Sequence, residues 1–174
     1  MSEILTSIYK YQTIVVGLIG FAGVIATLLT NAKIARGLRQ ADLINERNSI
    51  RQGLLTELNS LNDTYKDRAR SDGRDKDWLI PVRVTDNFYQ AMLPQLGKLS
   101  IDEIGPVMKA YQLVSEMPTR LTLLSPVPLA AKPEDGYIQI DRRHVDHVKK
   151  MHLVFVEEID KATGILKAKL DSER

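Results

Sequence analysis

All three histidines of the chain fall within nine residues, at His144, His147 and His152. Histidine titrates nearest neutrality, so such a cluster is the first place to look for proton transfer or metal ligation. Asp141, His144 and His147 stand at i, i+3 and i+6 of a candidate helix, and side chains three apart approach one another. His147 is nevertheless turned about 240° from Asp141, and no further ligand occurs in a matching motif, so no metal is expected. Arg142, Arg143 and His147 make a basic helix start. Arg142 and His147 lie about 140° apart on an ideal helix, so a single copy does not easily converge them, whereas Arg143 and His147 share a face. His152 falls inside an apolar stripe and reads as a satisfied core or interface histidine, with His144 at the edge of that stripe. The soluble part carries no HExxH, nucleophile elbow, Walker loop or dinucleotide fingerprint, and no cofactor is expected.

These residues must be positioned by helices. Val145, Val148, His152, Phe155, Ile159, Ala162, Leu166 and Leu170 recur three and four apart, which predicts a final helix from about Asp141 to Leu170. Ile50, Leu54, Leu58, Leu61 and Tyr65 give a second stripe within a long helix over residues 33–70, leaving Arg47, Arg51, Glu57, Asp63 and Lys66 for the surface. Ser100 and Glu103 have capping-box spacing and open a helix past Tyr111 to Glu116, which Pro118 ends or kinks. A short helix is expected from Thr85 or Asp86 to just before Pro94, and Trp78 to Val84 should be extended. Phe88, Tyr89, Met92, Leu93, Leu96 and Leu99 should supply facing core. Residues 71–77 and 125–136 read as loops, rich in charge and in Pro and Gly respectively.

Upstream, Tyr11 to Ala32 is a run of 22 residues without a charge. At about 1.5 Å per residue it gives roughly 33 Å of helix, enough to cross a hydrocarbon core of about 30 Å. A cleaved leader should begin with net positive charge, but Glu3 and Lys10 cancel. Lys33, Arg36 and Arg39 follow the run, so a retained anchor is expected, with the N-terminus outside and the remainder cytoplasmic. Thr13, Gly17, Gly20, Thr27 and Asn31 lie within about 40° of one line down this helix, with Gly23 beside it. Without a hydrophobic reward for pairing in lipid, small residues and hydroxyls make such a stripe a packing face between copies. The Gly17, Gly20, Gly23 series lacks the strand-then-helix context of a phosphate loop.

The organisation read from the chain is therefore an N-terminal segment and transmembrane helix over 1–32, an amphipathic helix over 33–70, and a helical body over 71–174. The fold class is all-α, a small cytoplasmic bundle on one membrane helix. Lys plus Arg is 24 against 22 Asp plus Glu, a net charge of +2, which argues against a dedicated nucleic-acid binder. The chain has no cysteine, excluding disulfides, thiolate zinc sites and cysteine nucleophiles.

The span over Ile14 to Leu29, the helical body and the series Arg142-Arg143-His144-Val145-Asp146-His147 together resemble a known group. It is that of the small membrane-anchored, HEPN-like accessory proteins of type VI-B CRISPR systems. The resemblance implies a bacterial inner-membrane protein that assembles as a ring with a central pore and depolarises the membrane of an infected cell, alongside a protein partner of the defence system. The Arg-x4-His spacing also resembles the motif of HEPN-domain ribonucleases, helical proteins that dimerise to unite two motifs. That likeness implies RNA as substrate, His147 in proton transfer and Arg142 on the phosphate. Three functions follow as expectations: a non-enzymatic homo-oligomer that perturbs the lipid bilayer, a ribonuclease using Arg142 and His147, or an anchored adaptor without pore activity.

Overall fold

Residues 2–71, 78–125 and 136–173 are described by the computed structural model, with the side chains of 2–10 and 12–15 outside that description. The side chain of Thr13 and most of the two expected loops therefore fall outside it. The described chain is mostly helical. Helix α1 runs Ser2–Arg70, strand β1 Trp78–Pro81, α2 Asn87–Met92, α3 Ile101–Thr122, β2 Tyr137–Ile140 and α4 Val145–Ser172. Short 3-10 turns occupy Leu93–Lys98 and Arg142–His144. Residues Met1–Asn45 form one unit and Glu46–Arg174 a second.

In the second unit the core is built from the stripes that periodicity marks out. Ile50, Leu54, Leu58, Leu61 and Tyr65 are buried, as are Val145, Val148, His152, Phe155, Ile159, Ala162, Leu166 and Leu170. Helix α3 adds Val107, Ala110, Tyr111, Val114, Met117 and Leu121, again three and four apart. Apart from Val145, these apolar side chains join one cluster, so α3, α4 and the C-terminal part of α1 share a core.

Four features depart from expectation. Arg51, assigned to the surface, is 1% exposed. A carboxylate on α3 recruits it, and single-helix periodicity does not register a partner on another element. Leu93, assigned to the core, is 43% exposed; α2 gives way to the 3-10 turn at this residue, with Pro94 just inside it, and the change of pitch turns Leu93 outward. Of the two outcomes expected at Pro118, an end or a kink, α3 does not end there and continues to Thr122. The missing N–H costs roughly 3 kcal/mol, and burial of Met117 and Leu121 on either side offsets it.

The fourth departure is a small sheet. β1 and β2 pair antiparallel with Trp78 opposite Ile140 and Ile80 opposite Ile138. Ile80, Ile138 and Ile140 point into the core while Leu79 and Tyr137 face outward, the period-two alternation of a one-sided sheet. Gly136 precedes β2 with φ of 72°, a conformation that favours glycine, and its carbonyl accepts from the Val82 N–H at 2.9 Å.

Candidate functional site

The first unit is the more unusual surface. Its most apolar 18-residue window has a mean hydropathy of 1.6, and none of that window is buried. Leu18, Ile19, Phe21, Leu28 and Leu29 are each more than 60% exposed. The apolar side chains surround the helix, whereas a helix resting on a soluble core confines them to one side. Among the described residues, a Cβ added at Gly17, Gly20 or Gly23 would meet nothing within 4 Å, so the space beside these glycines is open. The Thr27 hydroxyl donates to the Gly23 carbonyl at 2.9 Å and Thr30 to Ala26 at 2.8 Å. Both hydroxyls are thereby satisfied within their own helix. Asn31, Lys33, Arg36 and Arg39 are exposed at the end of the apolar stretch.

Arg142 and His147 are both exposed, Arg142 in the 3-10 turn and His147 in the first turn of α4. The helix expected from Asp141 thus begins in a tighter turn. The Asp141 side chain caps it by accepting from the Arg143 N–H at 2.9 Å, and it also pairs with the Arg143 guanidinium at 2.7 Å. These bonds from Arg143 hold the Asp141 carboxyl down at about 2. Arg143 is therefore committed to Asp141, while Arg142 and His147 face solvent. Among the described residues, no group of three His, Asp or Glu is placed to hold a metal ion.

The most perturbed polar groups lie elsewhere in the second unit. Arg51 Nε donates to Glu103 Oε1 at 2.6 Å and Nη2 to Oε2 at 3.1 Å, and Nη1 lies 2.7 Å from Glu173 Oε2. Glu103 also receives the Ser100 backbone N–H at 2.9 Å, the back-bond of the expected capping box, and the Ser100 hydroxyl at 2.7 Å. Burial pushes its carboxyl up, but the Arg51 and Ser100 hydrogen bonds prevail and leave it below the ordinary glutamate value.

Glu57 makes a second junction. Its Oε1 accepts the Phe88 N–H at 2.9 Å, and Oε2 accepts the Tyr89 N–H at 3.0 Å and the Tyr111 hydroxyl at 2.7 Å. A carboxylate from α1 thus caps α2, whose own N-cap residue Asp86 makes no side-chain cap bond.

His152 is buried, as its place in the stripe predicts, but among the described residues it is not satisfied: neither ring nitrogen has a hydrogen-bond partner there. Tyr65 stacks on it at 5.5 Å, and Trp78 and Phe155 meet it edge-on. Burial, and then the positive charge of Arg68, lower its pKa to about 4. A neutral, aromatic-caged imidazole away from Arg142 and His147 in the stripe is packing rather than proton-transfer machinery.

Fold and surface together define a class: a mostly helical protein with, among the described residues, one helix long and apolar enough to cross a membrane. Comparison with protein families, characterised proteins and solved structures finds no match.

Proposed function

We propose that the chain is a single-pass membrane protein that self-associates through its anchor and acts on the bilayer, with residues 46–174 in the cytoplasm. The observation that carries this reading is the fully exposed apolar surface of α1 between Val16 and Leu29. Each large apolar side chain moved out of water contributes about 1.5–3 kcal/mol, so the six at Leu18, Ile19, Phe21, Val24, Leu28 and Leu29 contribute roughly 10 kcal/mol or more. That is comparable to the whole stability of a domain. A bilayer takes up apolar surface on every side of the helix, which a single protein partner does not. The cationic flank Lys33, Arg36 and Arg39 supports the N-out orientation. The small residues Gly17, Gly20 and Gly23, with open space beside each, support close approach of a second anchor. The membrane-perturbing role rests on the resemblance to pore-forming accessory proteins of CRISPR defence.

The test combines size in mild detergent with ion flux across liposomes. The full chain should extract only with detergent, run as a complex of several subunits, and conduct ions. Gly20→Leu should weaken the assembly, while Phe21→Leu should leave it intact. A monomer, or a chain soluble without detergent, refutes the proposal. Assembly without flux would make the protein an anchored adaptor, and RNA cleavage abolished by Arg142→Ala with His147→Ala would make it a ribonuclease.

A further inference from the structure

Within the second unit, Arg68 of α1 and Arg83 of the segment after β1 line a cavity of about 110 Å3, whose wall includes Glu57, Thr64, Tyr65 and Met117. Arg68 is half-buried, its guanidinium 5.6 Å above the centre of the Tyr65 ring. Burial lowers its pKa, and no carboxylate stands among the groups that oppose this. Among the described residues neither Arg68 nor Arg83 has a carboxylate partner. Glu57 is the one acid on the cavity wall, and its two oxygens are taken by the α2 backbone and Tyr111. The Thr64 hydroxyl is likewise committed, donating to the Ser60 carbonyl at 2.9 Å. A partly desolvated guanidinium with no carboxylate paired to it is costly, and an anion held directly on it would relieve that cost.

We infer that this cavity binds a phosphate group, held between Arg68 and Arg83. Two guanidiniums on separate elements offer planar donor forks suited to the oxygens of one tetrahedral oxyanion. The cavity has room for a phosphate group and opens to solvent, where whatever the phosphate is esterified to can extend. A soluble phosphate monoester and a phospholipid headgroup present the same group.

The test is calorimetric titration of inorganic phosphate into the full chain in neutral detergent. One saturable site per chain is expected, weakened at least tenfold in Arg83→Gln and in Arg68→Gln. Arg120→Gln should not change it, because Arg120 is exposed and already paired with Glu116 at 2.8 Å. If Arg68→Gln fails to fold, Arg83→Gln, at an exposed position, carries the test alone. A second readout is the ring titration of His152 followed by NMR. An anion on Arg68 removes part of the positive field that depresses it, so phosphate should move that titration upward. The source is resolved in nanodiscs: if a lipid supplies the group, adding phosphatidic acid to a phosphatidylcholine bilayer should suppress phosphate binding, and if a soluble monoester does, affinity should be equal in both bilayers. No saturable phosphate binding, or equal binding by Arg83→Gln, overturns the inference.

Discussion

Arg51 of α1 and Glu103 of α3 meet through two hydrogen bonds, at 2.6 and 3.1 Å, with side chains only 1% and 0% exposed. Removing Arg51 leaves the Glu103 carboxylate in the core without its counter-charge and costs about 3–5 kcal/mol, whereas removing Glu103 leaves Arg51 only its pair with Glu173. Replacing both partners with apolar groups of similar shape removes both desolvation penalties. Arg51→Met and Glu103→Leu should therefore each lower the urea midpoint strongly, while the double variant recovers most of the loss. Additive losses in the double variant would show that the two charges act independently. The pair also fixes an acid limit. Because the folded Glu103 pKa lies below its unfolded value, the pair's contribution is complete above the unfolded value near 4.5 and fades as pH drops through the folded one.

Gly53 and Phe88 form a second dependence between α1 and α2. A Cβ built on Gly53 would collide with the Phe88 ring. An alanine in an exposed helix interior normally gains about 1 kcal/mol over glycine. Gly53→Ala should instead destabilise by about 1–2 kcal/mol, the usual cost of overpacking. Gly53→Ala combined with Phe88→Ala should show favourable coupling in a double-mutant cycle. Gly164→Ala is the control: nothing lies within 4 Å of its added Cβ, so it should stabilise. If the two alanine substitutions behave alike by thermal denaturation, the ring contact has no energetic consequence.

What could be read in the chain follows from the range of the physics involved. Helical stripes are local, so Leu54, Leu58, Phe155, Ile159 and Leu166 identified their own buried faces. The Ser100 and Glu103 helix start was readable for the same reason, both residues lying within one turn. β1 and β2 are four residues each, too short for alternation to stand out, and α2 and α3 lie between them in the chain. Arg51 and Glu57 looked like solvated polar positions because what recruits them, Glu103 and the α2 N-terminus, lies on other elements. Arg142 and His147 were visible as a spacing, yet a spacing does not specify whether the side chains converge. In the structure both are exposed. The Arg68 and Arg83 cavity had no local signature at all, since it arises where α1 meets the segment after β1.

His152 supplies the clearest expected pH dependence. Among the described residues its nitrogens have no partner, Tyr65, Trp78 and Phe155 pack against it, and Arg68 is the charged group acting on it. An unfolded histidine titrates near 6.5, whereas folded His152 titrates at about 4. Between these values the unfolded chain takes up a proton that the folded one refuses, so folding stability declines as the solution is acidified from pH 6.5 toward 4. The full window amounts to about 3 kcal/mol, at about 1.4 kcal/mol per pH unit, and it flattens below the folded value. His152→Leu keeps an apolar side chain in the site and removes the titrating group. Urea unfolding of the variant should lose this component between pH 6.5 and 4.5, and at pH 7.5 its stability should equal or exceed that of the parent, because two unsatisfied nitrogens leave the core. An unchanged slope in His152→Leu would assign the acid sensitivity to other groups and remove the buried imidazole from the account.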